Sequence, residues 1–160
     1  LLYAVLMGLW MGAISRVYEA VFDGIVAQAL LASVCTFLAC VVLYTSRVIR
    51  VTANFARAII FAMAGILLLY LVGWVLSVFG VDLRFFSQPT LLGIGISVAV
   101  CIVAALSLLL DFSYIEQGIA ARAPAAMEWY AAFGLLSTLI WLYAELLRLL
   151  ALLRMRSQRG

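Results

Sequence analysis

The sequence predicts an all-α integral membrane protein, a polytopic helix bundle, and three observations carry that prediction. Hydrophobic residues make up 69% of the 160 and charged residues only 11%, against about 25% charged in a soluble domain. The mean hydropathy is +1.26. The apolar residues fall into five runs, each of roughly the 20 residues that cross a ~30 Å hydrocarbon core as a helix. Alternating strands of ~10 residues, the signature of a barrel, are not seen. In lipid a backbone must satisfy its own polar groups, so runs of this length are helices.

Composition also removes function classes. The net charge of +3 comes from ten arginines and no lysine or histidine; so few charges over five apolar runs do not indicate nucleic acid, and they inform topology instead. Without histidine there is no haem ligand, HExxH zinc site or serine–histidine protease. No nucleophile and base can be paired, so an enzyme is not expected. Cys35, Cys40 and Cys101 lie inside apolar runs without a CxxC spacing and read as free, packed thiols. No resident cofactor or metal is expected.

The opening LLYAVLMGLW has no initiator Met, basic n-region or small-residue cleavage site, so the chain is expected to begin inside a helix and not at a signal peptide. The first helix is expected over about 1–15, with Gly8 and Gly12 as a GxxxG pair that lets another helix approach. Arg16, Glu19, Asp23 and Gly24 then make a polar turn. The second helix, about 24–46, places Gln28, Ala32, Cys35 and Ala39 on one face, expected to pack inside the bundle. An arginine-bearing loop with Arg47, Arg50 and Arg57 follows. The third helix, about 58–80, is leucine-rich with Gly65 and Gly73 and carries no recognisable chemistry. Its exit holds Phe85 and Phe86 where interface aromatics sit.

The fourth helix, about 91–118, begins after Pro89 and Thr90. Its face Gly93, Ser97, Cys101, Ala104, Leu108 and Asp111 is spaced 4, 4, 3, 4 and 3, a small-residue stripe ending in a carboxylate, which points the acid at a packed neighbour and away from lipid. The fifth helix, about 127–153, shares Thr138, Trp141, Glu145 and Arg148 on one face and pairs Glu145 with Arg148 at i, i+3. Four of the seven acids, Asp111, Glu116, Glu128 and Glu145, lie in these last two segments. An ionisable group at membrane depth costs roughly 2.5–3.5 kcal/mol on insertion scales, so each needs a partner or a function. The bland readings are that Asp111 caps the end of its helix at the headgroups, that Glu145–Arg148 is a structural pair, that Glu116, Arg122 and Glu128 form a solvated loop, and that Trp129, Tyr130 and Trp141–Tyr143 are interface and packing aromatics.

Ile14-Ser15 with Tyr18, LLLDFSYIE at Leu108–Glu116, and MEWYAAFGLL with WLYAELLRLL between Met127 and Leu150 resemble the Bax inhibitor (YccA-like) family of multi-pass membrane proteins, and most of all its bacterial Bax inhibitor-like branch. The sharpest match is Asp111 with Ile115, the D-x-x-x-I pattern of the penultimate helix. The resemblance implies seven helices, of which these would be the third to seventh, and a bacterial inner-membrane location. It implies a pH-sensitive cation leak, with Ca²⁺ or H⁺ as permeant ion and Ca²⁺ held only transiently, controlled by two aspartates that share a proton. Asp111 matches the first. Thr138 stands where the second would be, with Glu145 two turns further on the same face. The ion-pathway candidates are therefore Asp111, Ser137, Thr138 and Glu145. The alternative is a non-conducting regulator of a membrane protease or stress response, acting on a membrane-protein partner through its helices.

Topology by charge is undecided. If all five segments span, Arg47, Arg50, Arg57 and Arg122 share one side, and Arg16, Arg84, Arg154, Arg156 and Arg159 the other. If the last segment dips and returns, seven of these lie on one side against two.

Overall fold

A computed structural model describes residues 2–79 and 90–159 and contains five helices: α1 Leu2–Val21, α2 Ile25–Thr45, α3 Ala53–Val78, α4 Leu91–Ala120 and α5 Ala126–Arg159. All five are long and apolar enough to cross a membrane. The expected aromatics Phe85 and Phe86, with Arg84 and Pro89, lie outside the described residues.

Each boundary that departs from expectation has a local cause. Helix α1 does not stop at Ser15: Arg16 and Glu19 are helical, and the turn is confined to Phe22–Gly24. Glu19 reaches forward from the last turn of α1 and accepts from Gly24 N at 2.7 Å and Val26 N at 3.0 Å, so one carboxylate satisfies the free N–H groups that open α2. Gly24 sits at φ 77, a left-handed conformation that glycine adopts without steric cost. Helix α3 starts before residue 58 because Thr52 accepts from Phe55 N at 3.2 Å as an N-cap. Thr90 caps α4 in the same way through Gly93 N at 3.1 Å. Helix α5 runs unbroken for 34 residues, about 50 Å at the α-helical rise. It is long enough to cross and has no break at which it could dip and return.

The centre of the bundle is α4 against α5, antiparallel, with α2 packed on both. Helix α1 touches α2 and α5, and α3 packs on α4. Two apolar clusters hold the helices together, the first between the start of α2 and α5 and the second where α2, α4 and α5 meet. Phe22, Ile25, Ala29, Leu147 and Ala151 form one; Cys40, Ala104, Leu108, Leu109 and Leu142 form the other. Lipid tails are as apolar as leucine, so close packing of small side chains holds such helices together more than water exclusion does. The stripe expected on α4 is the face in contact: Gly93, Ser97, Cys101, Ala104 and Leu108 are all buried.

Two expected faces are corrected. On α2, Gln28, Cys35 and Ala39 are exposed and Ala32 is half-buried, whereas Ile25, Ala29 and Cys40 are buried. The helix is rotated by about one residue because Ile25, Phe37 and Cys40, bulkier than the alanines, fill the space beside α4 and α5. Cys35 is thus an exposed thiol, not a packed one. On α1, Gly8 and Gly12 are exposed, and nothing lies within 4 Å of where a Cβ would sit on either. Among the described residues no helix uses the GxxxG pair, because α1 meets α5 through Tyr3, Ser15 and Tyr18 on another face.

Candidate functional site: two carboxyls on the α4–α5 seam

Asp111 is not an end-cap. Helix α4 continues for nine residues to Ala120, so the carboxyl lies inside the helix, half-buried against α5. Its Oδ1 is 3.6 Å from where a Cβ would stand on Gly134, ordinary van der Waals distance, so α5 passes directly beside the acid. One turn on, the Thr138 hydroxyl is within hydrogen-bonding reach of the Asp111 carboxyl and donates to the Gly134 carbonyl at 3.1 Å. Its single proton can serve either acceptor, the Gly134 carbonyl or the Asp111 carboxylate, and its lone pairs can accept from the protonated acid. The second carboxylate oxygen, Oδ2, is buried without a hydrogen-bond partner. Among the described residues no arginine and no second carboxylate acts on Asp111.

Ser137 does not join this arrangement. It is a helical step away from Thr138, donates to the Phe133 carbonyl at 2.8 Å and hydrogen-bonds the Tyr3 hydroxyl at 3.1 Å, on the α1 side of α5. Adjacent helical residues point about 100° apart, so Ser137 and Thr138 cannot both face α4. The expectation that both hydroxyls oppose Asp111 is corrected to Thr138 alone.

Glu145 lies further along the same seam, separated from Asp111 by the buried cluster of Ala104, Leu108 and Leu142. It is buried and has a different environment. The Tyr70 hydroxyl, on α3, donates to Glu145 Oε1 at 2.5 Å. Arg148 Nη1 donates to the Tyr70 oxygen at 2.9 Å and stands 4.0 Å from Glu145 Oε2, with its guanidinium 5.6 Å from the Tyr70 ring centre. The i, i+3 pair expected on α5 is therefore bridged by a tyrosine from α3. Tyr70 is the only hydroxyl-bearing residue in the leucine-rich middle of α3, and that isolation was the one signal that could have singled it out. Glu145 Oε2 and the Ser97 hydroxyl are buried without a hydrogen-bond partner among the described residues.

Glu116 is not a loop residue. It is on α4 and accepts a hydrogen bond from the Tyr44 hydroxyl at the end of α2. Gln117 donates to Ser113 Oγ at 3.0 Å beside it. At the opposite end of the bundle Arg154 donates to the Asp23 carbonyl at 3.3 Å and to Gln28 Oε1 at 3.0 Å, holding α5 to the α1–α2 turn. Among the described residues no three Asp, Glu, Cys or His side chains gather as metal ligands.

Comparison with known proteins adds one finding. No curated protein and no solved structure shows a significant match to the chain. A family model described as Bax inhibitor 1 like matches residues 1–155, nearly the whole sequence and both carboxyl sites. A five-helix apolar bundle with an aspartate set inside its fourth helix, matched over that length, belongs to the Bax inhibitor 1 like family of multi-pass membrane proteins.

Proposed function

We propose that the bundle forms part of a pH-sensitive cation leak, with Ca²⁺ as the permeant ion and Asp111 as the group whose charge sets the conducting state. The observation that carries this reading is the Asp111 carboxyl, held inside α4 with one buried oxygen unpartnered and the Thr138 hydroxyl facing it, with no cation among the described residues acting on it. A protonated Asp111 donates to Thr138, which keeps its own bond to the Gly134 carbonyl, and ties α4 to α5. Loss of the proton turns the bond round, so that Thr138 gives up the carbonyl to donate to the carboxylate, leaves a negative charge in the seam without a cation beside it, and favours a looser seam. A ligand or proton shifts such an equilibrium by its differential affinity for the two packings. Thr138 in place of a second acid makes this a single-carboxyl switch, with Glu145 outside it. Ca²⁺ prefers ~6–8 oxygens, so the ion is treated as cargo that passes the seam, not as a resident. Full-length protein reconstituted in liposomes with an internal Ca²⁺ dye tests the proposal: influx that depends on the external pH is expected.

The exposed GxxxG face of α1 supports a second reading, a non-conducting regulator that docks a helix of another membrane protein on Gly8 and Gly12. Liposomes that stay Ca²⁺-tight at every pH, together with loss of a co-purifying membrane protein on G8I/G12I substitution, would favour it.

A further inference from the structure

The α2–α3 turn and the last turns of α4 enclose a cavity of about 550 Å³ that is separate from both seam carboxyls. Its polar lining is Tyr44, Thr45, Arg47, Arg50, Ser113 and Glu116. Helix α2 ends at Thr45 and the parallel α4 at Ala120, so the cavity opens where two spanning helices leave the hydrocarbon, at headgroup depth.

The charges in it are unpaired in a specific way. Arg47 and Arg50 have no salt-bridge or hydrogen-bond partner among the described residues. Arg47 stands just past the α2 C-terminus at φ 53, its N–H bonded to the Tyr44 carbonyl at 3.0 Å. Glycine is the usual residue there because a side chain strains this conformation; the chain places an arginine at the mouth of the cavity instead. Glu116 receives the Tyr44 hydroxyl on Oε2, and among the described residues nothing is bonded to its Oε1. Two guanidinium groups and one half-satisfied carboxylate therefore line a single opening.

We propose that this cavity binds the headgroup of a phospholipid with a primary ammonium: the phosphodiester on Arg47 and Arg50, the ammonium on Glu116 Oε1. Guanidinium forks match pairs of phosphate oxygens, and basic pockets at helix ends are suited to lipid headgroups. Two cations alone would favour an anionic headgroup. Glu116 alters that preference, because it repels a second negative group and accepts N–H bonds that a quaternary ammonium cannot donate.

The full chain in nanodiscs of mixed phosphatidylethanolamine, phosphatidylglycerol and phosphatidylcholine, released into detergent and read by native mass spectrometry, tests the assignment. The parent is expected to retain phosphatidylethanolamine in preference to the other two. R47Q/R50Q should weaken that retention on the order of tenfold or more, with R50Q alone giving a smaller loss if the double variant melts early. E116Q should keep phosphate binding but retain phosphatidylglycerol as well as phosphatidylethanolamine. Equal retention of all three lipids by the parent, preference for phosphatidylglycerol, or full retention by a folded R47Q/R50Q would overturn the proposal. Displacement of the retained lipid by soluble glycerophosphoethanolamine at matching concentration would assign the cavity to a free phosphodiester and overturn the lipid assignment.

Discussion

Asp111 and Glu145 sit on one helix–helix seam with a buried leucine layer between them, yet the chain treats them in opposite ways. Glu145 is met by a tyrosine from α3 and an arginine from its own helix, three groups from two elements that hold one another. Asp111 is met by a glycine and a single hydroxyl, which it shares with the Gly134 carbonyl. Each carboxyl keeps one buried oxygen without a hydrogen-bond partner; what separates them is that a phenol and a cation stand beside Glu145 and no cation among the described residues acts on Asp111. Burial alone does not mark a functional acid. The identity of what faces it does.

The comparison breaks most visibly at Glu145. Removing one partner of a buried pair leaves the other charge uncompensated, and E145A is expected to destabilise the bundle by about 3 kcal/mol, read as an early loss of helical signal during denaturation in mixed micelles. E145Q should fall less, since the amide still accepts from Tyr70, and should leave the pH midpoint of any ion flux unchanged. A shifted midpoint would move Glu145 into the switch. Y70F removes only the bridging hydroxyl and is expected to cost about 1–2 kcal/mol, while a double cycle with R148Q should reveal coupling through the ring oxygen. Additive single and double effects would show that Tyr70 does not bridge.

Smaller effects sharpen the other half. G134A sets a methyl in ordinary van der Waals contact with Asp111 Oδ1, so stability should change by no more than about 0.5 kcal/mol. A larger loss would show that α4 and α5 pack closer than the present geometry. T138V keeps the shape and deletes the hydroxyl facing the acid. It is expected to leave folding intact and shift the pH midpoint of flux, because the carboxyl loses the one hydroxyl that faces it.

Which parts of this were legible in the sequence follows from how far each interaction reaches along the chain. The α4 stripe was readable because its spacing is a property of one helix, and it is the buried face from Gly93 to Leu108. The position of Asp111 inside its helix was only half readable: nothing breaks the chain before Gly118, but the end-cap reading stayed open until α4 was seen to run to Ala120. The α2 face was misjudged because small residues were taken as the packing signal, whereas Ile25, Phe37 and Cys40 fill the wider gap on that side. Tyr70 offered only its isolation among leucines, since its role comes from a residue 75 positions away. Ser137 and Thr138 differ only in helical phase, and phase relative to a neighbour is a tertiary quantity.

The most direct test of the account compares D111N with the parent, both full length, in Ca²⁺-loaded liposomes across an external pH series, with thermal melts to confirm equal folding. Asparagine keeps the size of the side chain and its ability to hydrogen-bond but cannot change charge. The account predicts that flux persists at a constant level while its pH dependence disappears. A folded D111N that leaks Ca²⁺ with the parent's pH profile would contradict it and remove Asp111 from the switch.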